Sequence, residues 1–144
     1  MKNLKKIKGD ASHRKFFRRN CGNNSSIVVF SKKEKNKNLL VYDAINKILI
    51  KNKVLAPNLY KENYSKNFIE IEDFGDDTIF KILIKKKSNK LFYFKKVIQI
   101  LNKIQNIKDK SAKNFKNKTY IIPKYNKEVL IKEANLFCEW YLKK

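Results

Sequence analysis

The sequence is poor in the residues on which metal, disulfide and histidine chemistry depend. It has two cysteines, Cys21 and Cys138, and one histidine, His13, in 144 residues. Because the cysteines lie far apart and form no Cys-x-x-Cys pair, we expect free thiols rather than a disulfide or a zinc site. A single histidine excludes sites built on several histidine ligands, and any catalytic triad with a histidine elsewhere in the chain.

Long apolar runs are also missing. No stretch approaches the roughly 20 apolar residues of a membrane-spanning helix. The opening residues, MKNLKKIKGDASH, are too polar for a secretory signal. A hydrophobic share of 42% still allows a folded core. We therefore expect a cytoplasmic protein that does not bind membranes.

Acidic residues are scarce: 13 Asp and Glu stand against 35 Lys and Arg, for a formal net charge of +22. Such a charge is typical of proteins that bind nucleic acids or anionic surfaces. However, only Arg14, Arg18 and Arg19 are arginines, and the lysines are spread along the chain. Base-specific contacts rely mainly on the forked guanidinium. We expect no sequence-specific nucleic-acid binding, although a basic, non-specific nucleic-acid-binding module remains an alternative, as does a partner-binding module.

Apolar patterning predicts a strand-rich first half. Residues 3–8, 12–19 and 25–31 have the pattern of short strands separated by turns. From Leu39 to Lys53 the apolar residues recur at helical spacing. The segments NLYKE and NFIEIED then predict an antiparallel hairpin, with Ile69 and Ile71 on one face. The predicted order is β-β-β-α-β-β.

The second half is predicted to be helical. Three helices with apolar stripes follow Gly75, separated by a charged loop at residues 108–120. We expect the last stripe, which includes Trp140, to pack against residues 89–107 or to drive self-association. The predicted N-caps are Asp76, Asp77 or Thr78 for the first helix, Ser88 or Asn89 for the second, and Asn126 for the third.

Three sequence strings occur in an order that resembles a known family. They are GDASHRKFFR after the first strand, IEIEDFGDDTIF after the last strand, and IIPKYNKEVLIKEANLFCEWYL at the end. Together with the predicted element order, they resemble the aminoglycoside phosphotransferase-like kinases. The resemblance is greatest to the branch of bacterial N-acetylmuramate/N-acetylglucosamine anomeric sugar kinases.

The resemblance implies an α+β fold and a division of the chain. Residues 1–75 would be a protein-kinase-like N-lobe, a small antiparallel sheet plus one helix, ending in the hinge between the lobes. Residues 76–144 would be the first helices of a truncated C-lobe. The intact enzyme would use ATP and magnesium to phosphorylate an amino sugar. Because the family carries its catalytic and metal-binding Asp residues in the missing C-terminal half, we expect this chain to be inactive alone, with that half as a partner.

The resemblance also implies a set of nucleotide-binding residues. Residues 9–12 would cover the phosphates, although they could also form an ordinary turn. Arg14 and Arg18 could face the phosphates or solvent. Lys32 could pair with Asp43 in place of a kinase lysine–glutamate pair, or both could be solvated. Glu133 could shape the acceptor site, or cap a helix or pair with lysines. The nucleotide-binding set is Gly9, Asp10, Ala11, Ser12, Arg14 and Lys32, followed by Ile71, Glu72 and Asp73 at the hinge.

Asp73, Phe74 and Gly75 spell the tripeptide that binds magnesium in protein kinases. In those enzymes it follows a catalytic loop of the His-x-Asp-x-x-x-x-Asn type. No such segment precedes Asp73, since the sole histidine is His13. We therefore predict a strand end and helix cap at the hinge rather than a metal ligand, and we assign no catalytic or metal-binding residue in this chain.

Overall fold

The structure, a computed structural model, describes residues 4–7, 14–22, 24–31, 38–85 and 89–142. It combines a five-stranded antiparallel sheet with four α-helices and a small hairpin, which confirms the predicted α+β class. The elements are β1 (Leu4–Ile7), β2 (Arg14–Cys21), β3 (Asn24–Ser31), α1 (Asn38–Lys51), β4 (Leu59–Asn63), β5 (Phe68–Glu72), α2 (Ile79–Lys85), α3 (Lys90–Gln105), β6 (Ser111–Lys113), β7 (Thr119–Ile121) and α4 (Lys127–Phe137), the last continued by a π-helical turn (Cys138–Leu142).

The large sheet has the strand order β1-β2-β3-β5-β4, with every neighbouring pair antiparallel. Its register places Ile27 opposite Ile71 and Val29 opposite Ile69. These four side chains form the core together with Leu39 of α1. The alternation predicted for Ile69 and Ile71 is thus confirmed, because both are buried on the face that packs against α1.

The prediction of a loop at residues 108–120 is wrong, since β6 and β7 form a hairpin there. Its turn is closed by Asn114, whose side-chain oxygen accepts hydrogen bonds from the backbone N–H groups of Lys116 and Lys118. The hairpin is held by tertiary contacts, because Phe115 packs edge-on against Tyr64 at 5.9 Å between ring centroids. The many lysines of this segment interrupt the alternation of apolar and polar residues by which strands are predicted.

The helix caps follow the sequence closely. Thr78 accepts a hydrogen bond from Lys81 N in the first turn of α2. Asn89 and Asn126 accept from Phe92 N and Val129 N and so cap α3 and α4. The other candidate for α3, Ser88, lies outside the described residues.

The helices after β5 bury little. All residues of α3 and α4 are described, and none of them is buried. Trp140 is 73% exposed, so the expected packing of the last stripe on residues 89–107 does not cover it. Within the described part of the chain, no helix has the length and apolarity needed to cross a membrane.

Replacing a core leucine should test where the stability lies. Leu39 is 0% exposed and Leu55 is 83% exposed. We expect Leu39→Ala to lower the free energy of unfolding by about 2–5 kcal/mol, because it leaves a cavity between α1 and the sheet. Leu55→Ala, the same chemical change at an exposed position, should alter it by less than about 0.5 kcal/mol. Urea unfolding followed by circular dichroism measures both. Equal losses would contradict this placement of the core.

Candidate functional site

The chain leaves the sheet after Glu72 and turns sharply through residues 73–78, which we call the post-β5 segment. Glu72 is held by Asn58, the residue just before β4. The Glu72 carboxylate accepts hydrogen bonds from Asn58 N at 3.1 Å and Asn58 Nδ2 at 2.7 Å. Gly75 has a φ of +79°, a left-handed conformation that favours glycine. Its N–H donates to Asp73 Oδ1 at 2.8 Å, so the Asp73 carboxylate closes the turn.

The Asp73 carboxylate is nearly enclosed and receives hydrogen bonds from three strands or turns. Arg18 on β2 donates from Nε to Oδ2 at 2.5 Å and from Nη2 to Oδ1 at 3.1 Å. Ser25 at the start of β3 donates to Oδ2 at 2.8 Å. The Asp73 side chain is only 2% exposed. Four donors therefore converge on this carboxylate, counting Gly75 N.

The same guanidinium reaches a second carboxylate. Arg18 Nη1 lies 2.8 Å from Asp76 Oδ2, and Nη2 lies 3.0 Å from Asp76 Oδ1. We call this group of Arg18, Asp73 and Asp76 the Arg18 clamp. It joins β2 to the post-β5 segment, although β3 lies between β2 and β5 in the sheet. Arg18 thus pairs with two carboxylates, a contact that neither predicted alternative included.

The clamp keeps its members charged. Hydrogen bonds from Arg18 hold the pKa of Asp73 below its usual value, assisted by Gly75 and Ser25 and opposed by burial. Arg18 likewise lowers the pKa of Asp76. In return, Asp76 and then Asp73 raise the pKa of the Arg18 side chain. All three groups are therefore ionised at neutral pH.

A matching contact lies on the other face of the sheet. Arg19 Nη1 donates to Glu70 Oε2 at 2.6 Å, and Ser26 Oγ donates to Glu70 Oε1 at 2.5 Å. Glu70 is buried. Arg19 and Glu70 thus link β2 to β5 across β3, as Arg18 and Asp73 do on the face that carries the core.

The arrangement does not fit a magnesium ion at Asp73. The carboxylate oxygens already accept four hydrogen bonds, two of them from Arg18. A metal ion would have to displace the guanidinium from the carboxylate. Among the described residues, no three or more His, Cys, Asp or Glu side chains form a group that could hold a metal ion.

The remaining predicted nucleotide-binding residues are placed only in part. Ile71 is buried in the core. The guanidinium of Arg14, at the beginning of β2, lies 5.3 Å from the centre of the Tyr42 ring on α1. Arg14 and Tyr42 border a cavity of about 530 Å³ that Tyr120 of β7 also lines. Residues 9–12 and Lys32 lie outside the described residues.

Asp43 is not a solvated residue as one of the predicted alternatives had it. Its side chain is 2% exposed, and the ammonium group of Lys47, one turn later on α1, lies 2.8 Å from its Oδ2. Oδ2 has this ion pair and no further polar partner among the described residues. The same Lys47 lies 3.4 Å from the carbonyl oxygen of Lys113 in β6.

Glu133 has a partner that the sequence analysis did not predict. The Tyr125 hydroxyl donates a hydrogen bond to Glu133 Oε2. This contact raises the pKa of Tyr125, because the neighbouring carboxylate disfavours the phenolate. The contact orders the residues just before α4 against its second turn. Within the described part of the chain, Tyr125 is the hydrogen-bond partner of Glu133, and no hydrogen bond joins Glu133 to Asp73.

The sequence contains a signal for the clamp. All three arginines lie within residues 14–19, and five of the 13 acidic residues lie within residues 70–77. Because acidic residues are few in this chain, a cluster of arginines and a cluster of carboxylates favour ion pairs between the two segments. Ser25 and Ser26 gave no such signal, because serine is ordinary in the turn that precedes a strand.

No protein-family model matches the chain, and no curated protein shows a significant match to it.

The clamp predicts a specific dependence of stability on pH. Asp73→Asn should lower the free energy of unfolding by about 1–3 kcal/mol at pH 7, because Arg18 loses a buried charged acceptor. Since the pKa of Asp73 is lowered by folding, its contribution is complete above the unfolded value of about 3.9 and is lost as the pH falls through the folded value. The difference between wild type and Asp73→Asn should therefore be constant from about pH 7 to 5 and shrink below about pH 4.

Urea unfolding at several pH values measures this difference. Asp77→Asn is the matched control, because Asp77 is an exposed neighbour in the same segment. It should change stability by less than about 0.5 kcal/mol at any pH. A pH-independent loss for Asp73→Asn would mean that the charge of Asp73 does not contribute to stability.

Proposed function

We propose that this chain supplies the nucleotide-binding lobe of an ATP-dependent small-molecule phosphotransferase, with an amino sugar as the acceptor. The observation that carries the proposal is the topology. Three antiparallel strands, a helix packed on one face, and two further strands are followed by helices, in the order expected for a kinase-like N-lobe. The first string begins between β1 and β2, and the second runs from β5 into the post-β5 segment. These are the two places where the resemblance would put the nucleotide contacts.

The post-β5 segment would be the hinge that meets the adenine edge. In kinase-like folds this contact uses backbone groups, so the segment must hold one conformation. The Arg18 clamp and the turn closed by Asp73 and Gly75 support this role, because they fix the backbone on leaving β5. A preordered segment loses less conformational entropy on binding, which favours affinity.

The phosphates would lie at the opposite end of β2. Residues 9–12 are separated from Arg14 by His13 alone, and the resemblance assigns them to phosphate contacts. Arg14 borders the cavity beside α1, which is of a size that small-molecule sites have. Arg14 and Arg18 are four residues apart on one strand, a separation of roughly 13 Å. That distance is suited to a ligand whose base and phosphates lie along the strand.

The helices after the hinge would begin the second lobe. Their apolar side chains are largely exposed, with Phe94 at α3 and Phe137 at α4 more than half exposed. Further helices of a second lobe would cover such stripes. The 144 residues contain no His-x-Asp-x-x-x-x-Asn segment. The groups that orient the acceptor and hold magnesium would therefore come from residues outside this sequence.

The alternative of a nucleic-acid-binding module loses support at its arginines. Arg18 and Arg19 both form intramolecular ion pairs with carboxylates. The basic strand segment that suggested nucleic-acid contacts is thus engaged within the fold. Lysine-based attraction would remain, and it is non-specific and sensitive to salt.

ATP binding tests the proposed site directly. We expect the full chain to bind ATP, with adenosine competing for the site. Ser12→Ala should lower ATP affinity about three- to tenfold, because a hydroxyl donor to phosphate is lost. Ser111→Ala, at an exposed position of β6, is the matched control and should leave the affinity unchanged. Isothermal titration calorimetry at physiological salt measures these affinities.

Non-specific attraction between a basic protein and an anion is the competing explanation. Inorganic tripolyphosphate has the charge of the nucleotide but no base. The proposed nucleotide site would be wrong if tripolyphosphate competed for binding as strongly as unlabelled ATP and if Ser12→Ala and Ser111→Ala had the same ATP affinity.

Turnover should be absent when the chain is assayed alone. We expect ADP release to stay at background with ATP, magnesium and either N-acetylmuramate or N-acetylglucosamine, because no catalytic-loop segment is present. A coupled assay for ADP measures this. Turnover that Asp73→Asn abolished would show that Asp73 acts in catalysis, and the hinge assignment would then be wrong.

A further inference from the structure

The large sheet has a second groove on the face opposite the α1 core. Register places Phe17 opposite Val28, and Phe30 opposite Phe68, with all four on this outer face. Together with Leu4 they line a groove of about 420 Å³. The groove lies across β1, β2, β3 and β5, and its apolar lining is separate from the Arg18 clamp, which lies on the core face.

The groove is lined mainly by apolar side chains. Val28 is only 6% exposed although it points away from α1. Phe17, Phe30 and Phe68 are each partly buried around it. Phe17 lies opposite Val28 on β2, whereas the neighbour of Val28 on β5 is Glu70, which is paired with Arg19. Val28 and the three phenylalanines offer an apolar surface for an alkyl chain.

Charge differs between the two ends of the groove. At one end Arg19 is neutralised by Glu70, at 2.6 Å. At the other end Lys15, opposite Phe30, and Lys66 line the groove. Within the described residues, neither of these ammonium groups has a carboxylate within salt-bridge distance. The excess positive charge is therefore located at the Lys15 and Lys66 end.

We propose that this groove binds a single-chain anionic amphiphile of the fatty-acid carboxylate type. The alkyl chain lies over Val28 and the three phenylalanines, and the carboxylate lies between Lys15 and Lys66. The groove volume is within the range of small-molecule sites. A second copy of this chain is a poor occupant, because a net charge of +22 opposes self-association through a lysine-rimmed surface.

Calorimetric titration of the full chain with dodecanoate, below its micelle-forming concentration, tests the proposal. We expect saturable binding. Each methylene removed from the chain should lower affinity by up to about fourfold, because less apolar surface is buried. Dodecyltrimethylammonium, with the same alkyl chain and the opposite charge, should not bind.

Two charge-reversal variants separate the groove from the overall charge. Lys15→Glu/Lys66→Glu should weaken dodecanoate binding at least about tenfold. Lys95→Glu/Lys103→Glu changes the net charge equally at exposed positions of α3, and should leave the affinity unchanged. Phe30→Ala, checked for folding by circular dichroism, should also weaken binding, through lost apolar contact.

Four results would overturn the proposal. These are no saturable binding, equal weakening by the two lysine pairs, equal affinity for the cationic amphiphile, and binding to anionic vesicles without binding to monomeric dodecanoate. The last result would indicate attraction to a membrane surface instead. None of these results depends on ATP binding, so this proposal can fail while the proposed function stands.

Discussion

The contact between Arg18 and Asp73 is the constraint on which the candidate site depends. Asp73 is the first residue after β5, and its carboxylate both closes the turn at Gly75 and receives the guanidinium from β2. Arginine suits this position better than lysine would, because its planar fork can bind Asp73 and Asp76 at the same time. The direction in which the chain leaves the sheet is thus set by one side chain of a strand two positions away.

Arg19 and Glu70 repeat this design on the opposite face. Successive residues of a strand point to opposite faces, so Arg18 and Arg19 reach the two sides of β3. On each side they meet a carboxylate at or after β5. A serine of β3 completes each contact, Ser25 for Asp73 and Ser26 for Glu70. Each serine hydroxyl thus binds the same carboxylate as the arginine that crosses β3. The central three strands are therefore held together by charged contacts as well as by their backbone ladder.

Apolar periodicity and capping residues predicted the parts of the fold that depend on local sequence. The alternation at Ile69 and Ile71 and the caps at Asn89 and Asn126 need only neighbouring residues, and they were found where expected. The partner of Arg18 could not be found in this way, because it is 55 residues distant and depends on strand register. A slip of one residue would turn Arg18 to the other face. The β6–β7 hairpin was not predicted because lysines interrupt its strand pattern and because its contacts with Tyr64 and α1 are tertiary.

The same contacts explain how the exposed helices are attached. The segment containing α2 and α3 leaves the sheet at the Arg18 clamp and returns at Asp109, which accepts hydrogen bonds from Lys51 and from Asn52 at the end of α1. Both ends are thus fixed by acidic residues paired with the folded sheet-and-α1 unit. Between them, α3 buries no residue of its own among those described. Since apolar burial provides most of the stability of a fold, stability is concentrated in the sheet and α1. The helices are positioned chiefly by their ends, which leaves their apolar faces open to whatever packs against them.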